Sequence, residues 1–179
     1  MAATYVALLY SIGIAGNGRL KMAEWRSMIE SLGFQNARTF ISTGNAVFET
    51  TRRGAGALEA ELEDAFELRF GRRVHTIVRP AARFLRMAAG NPFAAESAAD
   101  GSRVIVRVMR QPIAGDSVAA LTRYAIMGER VKAVDGDLWV HFPGEVNRSR
   151  LMPVLGSKRL GAGTVRNWNT IRRLSEIVG

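Results

Sequence analysis

The chain has 179 residues, 47% of them apolar, no cysteine, and a formal net charge of +9 with a pI near 11.1. That length suits one domain or two small ones with a proper core. The lack of cysteine excludes disulfides, thiolate zinc sites and cysteine nucleophiles, and two histidines, His75 and His141, leave little for metal chemistry. No apolar run approaches bilayer-spanning length, and the start lacks the basic leader of a secretory signal. A cytoplasmic protein with no membrane partner and no cofactor is therefore expected. Only three of the 25 basic residues (Lys21, Lys132 and Lys158) are lysine, a bias that a GC-rich genome also writes. The charge is unevenly spread. Residues 71–110 carry eight arginines against Glu96 and Asp100, and residues 146–175 carry seven cations and no acid. The stretch 57–70 is the reverse, with Glu59, Glu61, Glu63, Asp64 and Glu67.

Residues 4–11 form an apolar, partly β-branched run that predicts a buried strand. The glycine-rich segment Gly13–Gly18 follows. Met22, Trp25, Ile29 and Leu32 recur at helical spacing and predict a helix over 21–32, stopped by Gly33. Ala37–Ile41 and Ala46–Glu49, separated by Ser42-Thr43-Gly44-Asn45, read as a β-hairpin. A second helix over 57–70 buries Leu58, Leu62, Ala65, Phe66 and Phe70, and Val74–Val78 closes the unit as a strand. The order βαββαβ is a ferredoxin-like arrangement.

Pro80 opens a short helix to Ala89, and Gly90–Ser102 reads as a linker or ordered loop. A strand over 103–109, a helix over 116–126 and a hairpin pairing 130–134 with 138–142 follow. Asp135-Gly136 is a strong two-residue hairpin signal, because both central residues need positive φ. One or two helices from Ser149 to Val178 complete the chain. The expected fold class is α+β: a ferredoxin-like subdomain over 1–79, a connecting helix and loop over 80–102, and a second α+β subdomain over 103–179. The second half echoes the first without its last strand.

In a βαββαβ unit three loops converge at one end of the sheet: Gly13–Leu20, Ser42–Asn45 and Gly71–Arg73. They bring together Asn17, Arg19, Lys21, Ser42, Thr43, Gly44, Asn45, Arg72 and Arg73, with the positive end of the first helix beside them. Such a set suits a phosphate or carboxylate. The glycine spacing matches neither the dinucleotide fingerprint nor the P-loop, and each piece also has an ordinary reading as a turn or a solvated cation. Near the C-terminus, Thr164-Val165-Arg166-Asn167-Trp168-Asn169-Thr170 reads as the first turn of the last helix. Thr164 is its N-cap, and Val165, Trp168, Ile171 and Leu174 form its core stripe. Arg166, Asn167 and Asn169 lie off that stripe and are available for polar work.

Several motifs resemble the bacterial family catalogued as domain of unknown function 1697. They are Lys21-Met22, Thr43-Gly44-Asn45, Asn91-Pro92-Phe93, the basic serine segment Arg148-Ser149-Arg150-Leu151, and Arg166-Asn167-Trp168-Asn169-Thr170. The family's arginine and asparagine after the first strand are absent here, where the chain reads Tyr10-Ser11-Ile12-Gly13. The resemblance implies no activity.

These features point to a non-enzymatic binder of a small anionic or phosphate-bearing ligand, whether a nucleotide or a nucleic acid. Base stacking of the RNA-recognition type is not indicated, because Asn45–Glu49 lacks the glycine-aromatic pattern. An enzyme acting on a small anion is the alternative, although neither His75 nor His141 has a carboxylate partner legible in the sequence. The third reading is an interaction module, a homodimer built through a sheet edge.

Overall fold

The computed structural model, which describes residues 1–10, 20–52 and 54–179, places the opening apolar run in β1 (Ala3–Leu9). Then come α1 (Met22–Ser31), β2 (Gln35–Phe40), β3 (Asn45–Thr50), α2 (Ala55–Phe70) and β4 (Thr76–Pro80). All pairings are antiparallel and the sheet order is β2-β3-β1-β4, so this unit has the expected ferredoxin-like topology. Tyr5, Ala7, Leu9, Phe48 and Val78 on one face pack with Trp25, Met28 and Ile29 of α1 and Leu58, Leu62 and Phe66 of α2. Val6, Leu8, Val47 and Ile77 on the opposite face are apolar and buried too. Neither face is the polar, aromatic-studded surface on which RNA bases stack.

After α3 (Ala81–Ala89) and α4 (Ala94–Ala99), the second sheet is built from β5 (Val104–Met109), β6 (Arg130–Val134), β7 (Asp137–His141) and β8 (Gly163–Asn167). Helices α5 (Gly115–Thr122) and α6 (Leu151–Leu155) lie between strands, and α7 (Trp168–Val178) ends the chain. The chain divides into two compact units, Met1–Leu85 with Glu176–Gly179, and Arg86–Ser175. Asp135 (φ 50°) and Gly136 (φ 86°) form the β6–β7 turn, as the Asp-Gly pair predicts. The sheet order is β6-β7-β5-β8, the same topology as in the first unit. Two elements differ from expectation. The stretch Gly90–Ser102, read as a linker or ordered loop, carries the helix α4. Residues 163–167 form a fourth strand paired with β5, where the sequence reading starts a helix. Among the described residues, no helix is long and apolar enough to cross a membrane.

The acidic face assigned to α2 is not wholly a solvated one. Glu59 and Glu63 are buried. Glu63 accepts the Thr76 amide at 3.0 Å and Glu59 accepts the Val78 amide at 3.0 Å. β4 is an outer strand, and Thr76, Val78 and Pro80 are the residues whose nitrogens turn away from β1. Four residues of helix rise about 6 Å and two residues of strand about 6.8 Å, so carboxylates at i and i+4 meet amides at j and j+2. Pro80, the third outward position, has no N–H to satisfy. Every outward donor of this edge is therefore occupied or absent, which shields it from pairing with another strand.

Replacing Glu59 and Glu63 by alanine together should lower stability by about 2–5 kcal/mol, since each leaves a buried amide unpaired. Amide exchange should rise first at Thr76 and Val78. Unchanged exchange at both would refute the sealing role.

Candidate functional site

β1 and β2 both run antiparallel to β3, so they are parallel to each other, and α1 runs back between them. The first turn of α1 therefore lies at the end where β1 finishes. There the Leu9 amide donates to the Gly44 carbonyl at 2.8 Å and the Tyr10 amide to the His75 carbonyl at 2.7 Å. The β2–β3 turn and the segment entering β4 thus flank the end of β1 on its two sides. Of the three loops expected here, the Ser42–Asn45 turn and the Gly71–Arg73 segment lie at this end of the sheet, while Gly13–Leu20 falls, except for Leu20, outside the described residues. Asn17 and Arg19 lie outside the described residues.

Geometry sorts the remaining residues of this end. Asn45 is fully buried, and its side-chain amide donates to the Phe40 carbonyl (3.0 Å) and Thr43 Oγ1 (2.9 Å). It holds the hairpin turn from inside rather than facing a ligand. The turn is tight: Ile41 has φ 48° and Gly44 φ 76°, and a β-branched residue in the left-handed region is strained. Ser42 and Thr43 are exposed at its tip. Arg73 is held by three carboxylates of α2, namely Asp64 (2.5 Å), Glu67 (3.2 Å) and Glu63 (3.4 Å). The first two raise its pKa further above the ordinary arginine value, and its charge is balanced within the fold. Arg72 next to it is exposed and has no partner among the described residues. Lys21 is exposed, 3.9 Å from Glu24. It occupies the N-cap of α1, and its side chain makes no cap bond.

His75 has a carboxylate neighbour that the sequence does not disclose: its Nδ1 is 3.4 Å from Glu63 Oε1. Because that same oxygen accepts the Thr76 amide, edge sealing accounts for the contact. Nothing but the helix-to-strand spacing of Glu59 and Glu63 against Thr76 and Val78 signals this pairing in the sequence. His141 lies 3.2 Å from Arg130. Burial, reinforced by that cation, holds it below the ordinary histidine pKa.

The C-terminal residues belong to the second unit, where Arg166 and Asn167 have structural employment. Arg166 is in β8, buried, and donates to Thr164 Oγ1 and the Val165 carbonyl, both at 2.8 Å. Burial pushes its guanidinium down to about 10. Asn167, not Thr164, caps the last helix: its Oδ1 accepts the Thr170 amide and hydroxyl, both at 3.0 Å. With Trp168 as the first helical residue, Thr170 is the third, the usual donor to an N-cap side chain. Trp168 is half-buried, its ring 6.2 Å from that of Trp139. Asn169 sits over Gly101, where an added Cβ would come within 2.4 Å of its Oδ1. The adjacent β-branched pair Thr164-Val165 was the available strand signal, and the every-third-residue apolar stripe masked it.

The Asn91-Pro92-Phe93 motif is an Asx turn. Asn91 Oδ1 accepts the Phe93 amide at 2.9 Å and its Nδ2 donates to Ser97 at 2.7 Å. Phe93 is buried beneath Arg130 and Lys132. Among the described residues, no group of three His, Asp or Glu is disposed to hold a metal ion.

Fold and site together define an α+β protein of two four-stranded antiparallel units, each with the split βαβ topology. The chain belongs to the family described as protein of unknown function (DUF1697), whose model matches residues 2–139. The Arg166–Thr170 motif lies beyond that match. A solved structure, described as a conserved bacterial protein SP0830 from Streptococcus pneumoniae, is similar over 100% of both chains, with a TM-score of 0.77 and 20% identity. It supports the fold alone. No curated protein matches the sequence.

Asn167→Ala should cost about 1 kcal/mol through loss of the cap, and Asn167→Asp should keep most of it. Thermal melts of the two variants check this. Equal melting temperatures for wild type and Asn167→Ala would rule the cap out.

Proposed function

We propose that the first unit is a non-enzymatic binding module for a small anionic, phosphate-bearing ligand at the end of its sheet. The observation that carries this reading is the contrast between Arg72 and Arg73. Two adjacent arginines enter β4; one is committed to three carboxylates, while the other is exposed with no partner among the described residues. Around Arg72 the ligand would meet the hydroxyls of Ser42 and Thr43, Lys21 and the start of α1. Helix-terminal amides and a planar guanidinium are the groups that recognise phosphate. Asn45 keeps the hydroxyl-bearing turn in shape, and Arg73 braces the segment that carries Arg72.

β1 lies between the β2–β3 turn and the entry to β4, so those two walls are about 9.6 Å apart, two strand spacings. A ligand touching both is larger than a free phosphate ion, which favours a nucleotide or a stretch of nucleic-acid backbone. Arg166 and Asn167 are not part of this reading, since their side chains serve β8 and α7, and Asn169 is an exposed residue of the second unit.

Fluorescence anisotropy with labelled ATP, short single-stranded RNA and duplex DNA across a salt series tests the proposal. Lys21 and Arg72 would neutralise about two phosphates, giving a log–log salt slope of roughly −1.4 to −1.8. Arg72→Ala should weaken binding with no change in melting temperature, whereas Arg73→Ala should lower the melting temperature. A slope near −4 would assign nucleic acid to a broader basic surface instead. No binding of any probe at low salt would sink the proposal.

A further inference from the structure

The outer strands of the two sheets are treated differently. At β4 the outward donors are taken by Glu63 and Glu59 or removed by Pro80. β2 is interrupted by an irregularity between Gln35 and Arg38, where Asn36 has φ 52°. At β8 the outward carbonyl of Val165 accepts the Arg166 guanidinium. β6 has none of these devices. It pairs with β7 in unbroken register from Arg130↔His141 to Val134↔Asp137.

The Asp135-Gly136 turn decides which groups of β6 face outward. In a two-residue hairpin the flanking pair, here Val134 and Asp137, exchanges both hydrogen bonds, and the bonded pairs then alternate. Val134, Lys132 and Arg130 therefore bond to β7. Val131 and Ala133 turn their amides and carbonyls to the outside, where none has a partner among the described residues. Ala133 is exposed and Val131 partly so. Two donors and two acceptors stand in line, the pattern that a fifth strand completes.

We propose that the β6 edge is a docking site for an extended acidic segment of a partner protein, added antiparallel or parallel as a fifth strand. Charge selects the partner. Arg130 and Lys132 are exposed on the strand. Arg130 is shared with Glu96 and His141, while Lys132 lies 5.3 Å from the Phe93 ring centre with no carboxylate partner among the described residues. Asp135 sits beyond the strand, at the turn. Carboxylates of an added strand would come opposite these cations, a favourable cross-strand pairing.

A second copy of this chain is a poor occupant. The two-fold register that uses all four outward groups sets Lys132 against the same lysine of the other copy. The register centred on Val131 sets Lys132 against its arginine. Like charges directly opposite oppose pairing, and lysine on an edge is a common guard against self-association. Ile126 and Met127, exposed just before the strand, give the partner apolar surface where its segment runs on. The edge lies in the second unit and shares no residue with the anion site.

Two labelled seven-residue peptides test this: alternating glutamate and valine, and alternating lysine and valine. Binding is followed by anisotropy and by amide exchange in the whole protein. The acidic peptide should bind and slow exchange at Val131 and Ala133, and the basic one should not. Ala133→Pro deletes an N–H that the fold does not use and should weaken binding about tenfold or more, as loss of a bond in a marginal strand pairing does. Lys132→Glu should reverse the preference between the peptides and covers the case in which the proline variant misfolds. Equal binding of both peptides, protection elsewhere, or binding indifferent to both substitutions would overturn the proposal. A wild-type dimer in sedimentation that Lys132→Glu changes would overturn it too, by assigning the edge to a second copy.

Discussion

An outer strand of an antiparallel sheet has a row of backbone amides with no neighbour, and in the first unit that requirement governs much else. Glu59 and Glu63 meet it from α2 with buried carboxylates. A buried carboxylate is costly without donors, and a buried amide is costly without an acceptor, so each group answers the other's need. The pairing fixes the axial position of α2 along β4. With α2 fixed, Asp64 and Glu67 reach Arg73, and the Arg73 side chain is drawn to the helix. Arg72 is left on the surface as a consequence.

The second unit repeats the topology with a different solution. Its helix in the position corresponding to α2 has 5 residues where α2 has 16. The chain between α6 and β8 is gathered by a buried arginine instead. Arg107 donates to the carbonyls of Leu155, Ser157 and Gly161, closing the C-terminal end of α6 and the loop after it. Hydrogen bonds from a charged donor to carbonyls at a helix C-terminus are favourable both as bonds and against the helix dipole. Gly163 belongs to the same arrangement: an added Cβ would stand 3.0 Å from Arg107 Nε and 2.9 Å from the Val108 carbonyl. On the other side of β5, Asp137 accepts the Met109 amide at 2.7 Å. Charged side chains that look like surface decoration in the sequence thus serve as backbone acceptors and donors in both units.

The same physics explains which parts of the site were legible. Apolar periodicity located α1 and α2, and turn chemistry located the two hairpins, because both signals are local. The convergence of Ser42–Gly44 with Gly71–Arg73 followed from βαββαβ topology alone. What each polar side chain does there was not legible. Asn45 spends its amide on Phe40 and Thr43, and Asn167 spends its carbonyl on Thr170. Distinguishing Arg72 from Arg73, or a solvated glutamate from a buried one, required the position of a helix relative to a strand distant in sequence.

The sequence by itself determined the fold class, the hairpin turns and the end of the first sheet where loops meet, since periodicity and positive-φ turn residues act over a few neighbouring positions. The tertiary structure decided that Thr164–Asn167 is a strand, because the ladder with β5 outweighs the helical apolar spacing that runs on into that segment. It also decided which charges remain available to a partner, because a charge is available only when no distant backbone group or counter-ion has claimed it.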